Sequence, residues 1–268
     1  MKRIAVILQA RMGSTRLPKK VLKDIVGKPM LWHIINRIKK AKSISQIVIA
    51  TTTKEKDKPI VKLALENGVN VFLGNEDDVL DRYYKAALTF KADIIVRITG
   101  DCPLIDPEVI DSAVNYYCSN SFDYVSTARS LNKQEHKHSL RVYPDGLDVE
   151  VFSFAALQKA WKHARLTSER EHVTPYIWKR HDAFRIGIIE CDQNLSEMRW
   201  TVDNPKDLVF IRAIYEKLYN EKSIFKMKDV LSLLKAYPEL AEINKGFTRN
   251  FGYLRSLEKD QRIDYFVE

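Results

Sequence analysis

Four short apolar runs, at residues 4–8, 46–50, 69–73 and 93–98, recur through the first hundred residues, and the stretches between them carry helical periodicity. Leu31, Ile34, Ile35 and Ile38 give the i, i+3, i+4, i+7 stripe of a helix that starts near Pro29. Residues 60–65 belong to a second helix, stopped by Asn67-Gly68, and residues 78–90 to a third. The fourth run is rich in β-branched residues, as a buried strand should be. Alternation of this kind with short links implies right-handed crossovers and an α/β fold, its mostly parallel, doubly wound sheet covered on both faces. The ligand crevice of such a sheet lies at the carboxyl ends of its strands.

The first run opens directly into Arg11-Met12-Gly13-Ser14-Thr15-Arg16-Leu17-Pro18-Lys19-Lys20. Backbone N–H groups near Gly13 can turn toward a polyphosphate there, and Arg11, Arg16, Lys19 and Lys20 supply charge. A solvated basic loop is the plain alternative, and the place of the loop after the first strand favours a ligand site. The charge count sharpens this. The chain carries +9, yet residues 1–42 hold 12 Lys and Arg against Asp24, a net of +11, which leaves −2 for the remainder. A local anion such as a triphosphate fits that distribution better than a nucleic-acid footprint. Arg37, Lys39, Lys40 and Lys42 are expected on the solvent face and C-terminal end of the next helix.

At 268 residues the chain can bury a substantial core. No apolar run approaches the roughly 20 residues needed to cross a bilayer. Lys2 and Arg3 lead into only five apolar residues before Gln9, too few for a signal peptide. Cys102, Cys118 and Cys191 are widely spaced and form no CxxC pair, which points to a reducing cytoplasm.

After residue 120 the pattern changes. Strands are expected at 123–127, 147–152, 184–189 and 198–202, with helices from Phe154, over 169–180 and after Asn204-Pro205. Phe247, Phe251, Tyr253, Tyr265 and Phe266 mark the tail as a segment that docks on something.

Two further stretches end on strands. In Thr99-Gly100-Asp101-Cys102-Pro103-Leu104, Asp101 suits a Mg²⁺ ligand beside a glycine that permits close approach. It equally suits a turn or a helix cap, and this fragment alone leaves both open. In Arg199-Trp200-Thr201-Val202-Asp203-Asn204-Pro205, Asp203 closes a late strand, and again a cap is the competing role. Two carboxylates meeting beside the basic loop would make a metal–triphosphate site. No G-x-G spacing and no G-x-x-x-x-G-K-[ST] occurs, so dinucleotide and ordinary P-loop chemistry are not indicated. His136 and His138 could share a metal from an extended segment, without any supporting Cys or H-E-x-x-H context. Cys102 is a poor nucleophile candidate, with Pro103 beside it and no partnered histidine in sequence.

With these features in order, the chain resembles the cytidylyltransferases that make CMP-activated sugar acids, in the branch typified by the spore coat polysaccharide protein SpsF. The opening motif carries the likeness together with Thr99–Leu104, Tyr143-Pro144-Asp145-Gly146-Leu147-Asp148-Val149-Glu150-Val151-Phe152, Arg170-Glu171-His172-Val173-Thr174-Pro175-Tyr176 and Trp200-Thr201-Val202-Asp203. The resemblance implies a nucleotide-diphospho-sugar-transferase-like domain over 1–237, with an inserted β-rich substrate or dimerisation element at about 123–152. A tail, 238–268, lies outside its motifs. It implies a homodimer that uses CTP and Mg²⁺. Arg11, Ser14 and Lys20 match residues that hold the CTP phosphates, within a nucleotide site of Gln9, Ala10, Gly13, Thr52 and Thr53. Lys20, Arg11 and Asp101 are the expected catalytic groups, and Asp101 and Asp203 match metal-binding aspartates. Expected acceptor contacts are Arg129, Arg141, Glu150, Arg170, Glu171, His172 and Arg199. Sialic-acid-activating relatives carry an Arg where this chain has Gly74 and lack an acid at Asp101, which points to a different acceptor. Glycosyl transfer from a sugar nucleotide is the alternative activity.

Overall fold

Strand β1 (Ile4–Gln9) buries the side chains of both its faces, which makes it a central strand. In the computed structural model, which describes residues 2–128, 141–246 and 249–264 with side chains to residue 261, it stands third in a seven-stranded sheet. A short hairpin, β2 (Asp24–Ile25) and β3 (Lys28–Pro29), leads into α1 (Met30–Ile38). The expected alternation follows as β4 (Gln46–Thr52), α2 (Lys58–Glu66), β5 (Asn70–Gly74), α3 (Val79–Thr89) and β6 (Ile94–Thr99). Next come α4 (Pro107–Ser119), β7 (Tyr124–Ser126), β8 (Glu150–Ser153), α5 (Phe154–His163), α6 (Thr167–His172), α7 (Pro175–Trp178) and β9 (Ile186–Ile188). The chain closes with α8 (Pro205–Leu218), α9 (Met227–Ala236), α10 (Glu239–Glu242) and α11 (Phe251–Asp264).

The strand order is β5-β4-β1-β6-β8-β7-β9, and only β8 runs against its neighbours. From β1 the chain steps outward to β4 and β5, then returns to place β6 on the other side of β1. That reversal is the switch point at which a crevice opens, beside Gln9 and Thr99, which pair in register. Alternate side chains feed two cores. Val6 and Leu8 pack with α1, α4 and α8, while Ala5 and Ile7 pack with α3 and α5. No helix among the described residues is long and apolar enough to cross a membrane.

Three expectations change. The stretch 169–180 divides into α6 and α7, because Val173 takes φ +72° and Pro175, without an N–H, starts a new helix. Residues 198–202 form no strand. Asp145 and Arg199 make a single bridge, after which Gly146 turns with φ +107°, where a Cβ would sit 2.6 Å from the Trp200 carbonyl carbon. Arg37 is buried rather than solvated: its guanidinium donates to the carbonyls of Ile105 at 2.6 Å and Phe225 at 2.7 Å. Helix α4 is absent from the expected elements, although Asp106 caps it by accepting the Glu108 N–H at 2.8 Å.

Candidate active site

The switch point is closed by backbone. Gly100 donates its N–H to the Gln9 carbonyl at 2.9 Å, and a Cβ at Gly100 would lie 2.8 Å from that same oxygen. Only glycine lets the ends of β1 and β6 come this near. The loop after β1 is pinned by Asp57, which accepts the Met12 N–H at 2.7 Å on one oxygen and the Thr52 hydroxyl on the other. Leu17 is buried beneath it. Lys19 adopts φ +57°, and the 3₁₀ turn it opens, Lys20–Leu22, delivers Lys20 into the crevice.

Lys20 Nζ donates to Asp101 Oδ2 at 2.9 Å, Asp203 Oδ1 at 2.9 Å and the Val202 carbonyl at 3.0 Å. Burial pushes this ammonium down, but Asp101 and Asp203 outweigh it, so Lys20 titrates above its ordinary value and stays charged. Asp203 also meets Arg16 at 3.1 Å and Arg199 at 2.9 Å. Burial opposes its ionisation, yet Lys20, Arg16 and Arg199 hold it down at about 2. Asp101 accepts the Thr99 hydroxyl at 2.5 Å on its other oxygen. The two aspartates and the loop lysine, remote in sequence, therefore form one node.

Two cavities meet at this node. One, of about 460 Å³, is lined by the loop (Arg11, Gly13, Ser14, Lys20) with Gln9 and Ala10 behind it. The other, of about 580 Å³, is lined by Tyr124, Asp145, Asp148, Glu150, Trp178 and Arg199, among others. Arg97, Thr99, Asp101, His172 and Asp203 border both. In the larger cavity Glu150 accepts from Arg97, from the Tyr124 hydroxyl at 2.5 Å and from the Thr174 hydroxyl at 2.6 Å. Burial and the neighbouring Asp148 lift Asp145 to about 7, against Arg249 and Arg199.

The other expected residues divide. Glu171 borders the smaller cavity. Thr52 faces inward to Asp57, and Thr53 pairs its N–H with the Gly74 carbonyl at 3.2 Å; neither lines either of these two cavities. Arg141 is drawn to Glu190 at 3.3 Å and Arg170 to Asp78, both outside the cavity linings. Arg129, His136 and His138 lie outside the described residues. Cys102 is buried and its thiol pushed well up by burial, so it is no nucleophile. Residues the sequence reading lacked are Arg82 and Arg97, together with Arg255, Ser256 and Lys259 of α11. Gly74 leaves room for Arg82, whose Cγ would lie 3.0 Å from a Cβ there. A charge inside the apolar run Ile94-Ile95-Val96-Arg97-Ile98 is the one signal that could have found Arg97.

A mostly parallel sheet with a cationic loop and paired carboxylates at its switch point, and a second cavity beyond them, has the layout of a nucleotidyltransferase. The family model described as cytidylyltransferase matches residues 5–263, and the chain belongs to that family. It is 31% identical over 248 residues to the spore coat polysaccharide biosynthesis protein SpsF of Bacillus subtilis, covering 90% of this chain and 98% of that one. It is 28% identical over 242 residues to a 3-deoxy-manno-octulosonate cytidylyltransferase of an Anaeromyxobacter species, covering 80% of this chain and 97% of that one. A solved cytidylyltransferase from Leptospira borgpetersenii superposes with a TM-score of 0.82 at 30% identity, over 92% of this chain and all of the other.

Proposed function

We propose that the protein transfers CMP from CTP to a hydroxyl of an acidic sugar, releasing pyrophosphate, as a step in building a surface polysaccharide. The observation that carries this reading is the Lys20 node, which holds two carboxylates and a cation where a loop-lined cavity meets a second cavity. The names of the Bacillus and Anaeromyxobacter relatives support the polysaccharide and the sugar acid.

In the reaction the acceptor oxygen bonds to the α-phosphorus of CTP as the bond to the bridging oxygen breaks. Pyrophosphate leaves with that electron pair, and the hydroxyl proton is lost to solvent. Positioning and charge neutralisation lower the barrier. Lys20, held cationic, and Arg11, whose ion pair with Glu76 spans 4.0 Å, take up charge on the departing group. Gln9, Ala10, Gly13 and Ser14 line the nucleotide side, with Thr52 steadying the loop through Asp57. Glu150, Arg199 and His172 border the acceptor side.

Asp101 and Asp203 fit Mg²⁺: their hard oxygens already bracket one cation, the Lys20 ammonium, at 2.9 Å each. Mg²⁺ takes one or two carboxylates and completes its shell with phosphate and water. Bound there, it would polarise a phosphoryl oxygen. The reading includes a cytoplasmic homodimer, which suits the three free cysteines.

Purified protein with CTP, Mg²⁺ and a panel of sugar acids should release pyrophosphate, and Asp101→Asn should slow release by roughly 100-fold or more. Absence of release across the panel, or equal use of ATP, would overturn the reading.

A further inference from the structure

Helix α11 carries two faces with different tasks. Tyr253, Ser256 and Asp260, at i, i+3 and i+7, are buried against α6 and α7. Asp260 Oδ1 accepts the Ser168 N–H at 3.0 Å, and the Ser256 hydroxyl donates to Glu171 Oε2 at 2.8 Å. His172 Nε2 lies 3.0 Å from the same Ser256 oxygen. The Ser256 hydroxyl also reaches the Gly252 carbonyl at 3.1 Å. The His172 ring meets Tyr253 edge-on, with centroids 5.3 Å apart. This seat fixes the rotation of the helix.

The adjoining face, Gly252, Arg255, Ser256 and Lys259 at i, i+3, i+4 and i+7, lines the same cavity as Arg11, Ser14 and Lys20. Among the described residues Arg255 makes no hydrogen bond or ion pair, and Lys259 meets only Glu171, at 3.9 Å. Lys20 and Arg16, in contrast, are already engaged by aspartates. A triphosphate brings more negative charge than Lys20 and Arg11 together neutralise, since Lys20 also faces two aspartates and Arg11 faces Glu76. We propose that Arg255 and Lys259 bind the β- and γ-phosphates of the nucleotide, and hence the leaving pyrophosphate, which makes α11 a wall of the triphosphate site. The inference rests on the use of CTP argued above.

Calorimetric titration of the full chain with CTP, CMP and inorganic pyrophosphate tests it, since CMP lacks the two outer phosphates. Arg255→Ala should weaken CTP and pyrophosphate about tenfold and Lys259→Ala about threefold, with CMP unchanged and Arg255→Lys partly restoring the loss. Arg255 is exposed, so its removal should leave the melting temperature in place. A wild type that binds CTP while Arg255→Ala binds it equally well overturns the role of α11 alone. Equal loss of CMP also overturns it, by making the effect one of helix docking. A wild type that binds pyrophosphate without preferring CTP over ATP overturns the cytidylyl reading and leaves the anion site of α11 standing.

Discussion

In the larger cavity Arg97 is closed onto Glu150 and Arg199 onto Asp145, Asp203 and Asp207, while Arg249, outside the lining, pairs with the lining residue Asp148 at 2.6 Å. At the edge of the smaller cavity Arg11 stands 4.0 Å from Glu76, and Arg255 has no carboxylate among the described residues. The difference follows from solvent. A buried guanidinium must be paired in the folded chain, because an uncompensated charge there costs several kcal/mol. A cation at the water's edge loses little by standing open, and it keeps its charge for a mobile polyanion. The deep cations of the crevice are therefore a preset hydrogen-bonding frame, while Arg11 and Arg255 form an open cationic rim at the edge of the smaller cavity.

The sharpest way to break this contrast is to remove a partner on the paired side. Glu150→Ala strands Arg97, whose side chain is only 14% exposed, and leaves the Tyr124 and Thr174 hydroxyls without their shared acceptor. Urea unfolding should register a loss of roughly 3–5 kcal/mol. A loss below about 1 kcal/mol would mean that the pair is solvated and the contrast false.

On the open side the corresponding change should spare the fold. Arg11→Ala is expected to alter unfolding free energy by less than ~0.5 kcal/mol while weakening CTP about tenfold, more at low salt than at high. Titrations at two ionic strengths check it. A large stability loss with unchanged CTP affinity would put Arg11 among the structural cations.

These two sides were unequally legible in the chain. The sheet and the basic loop announce themselves, because apolar runs and clustered charge are local signals. Asp101 and Asp203 could be named but not joined, since what brings them together is the pairing of β1 with β6 and the Val202 N–H on the Asp101 carbonyl at 2.8 Å. Paired arginines defeat sequence reading most completely. Arg37 ends a helix among lysines and reads as solvated, yet its guanidinium serves buried carbonyls. Arg141 and Arg170 look free to bind an acid, yet nearer carboxylates on Glu190 and Asp78 take them. The tail's aromatic residues signal docking, but only the helical phase set by Tyr253, Ser256 and Asp260 turns Arg255 toward the loop-lined cavity.

That phase is itself open to a milder test, through pH. Burial holds His172 at about 4 against an ordinary value near 6.5. Arg97 of β6 pushes it the same way, while Glu171, Glu150 of β8 and Asp260 of α11 pull it up. Between those two values the unfolded chain takes up a proton that the folded chain refuses. The contribution is therefore fully present above pH 6.5 and is lost as pH falls toward 4. Thermal unfolding of the wild type should drop more between pH 7 and pH 5 than that of His172→Gln, whose amide can still hydrogen-bond Ser256 but cannot titrate. If the seat of α11 loosens with that protonation, CTP affinity should fall over the same window while CMP affinity holds. Parallel pH slopes for the two proteins would assign the acid sensitivity elsewhere and leave the open rim independent of its latch.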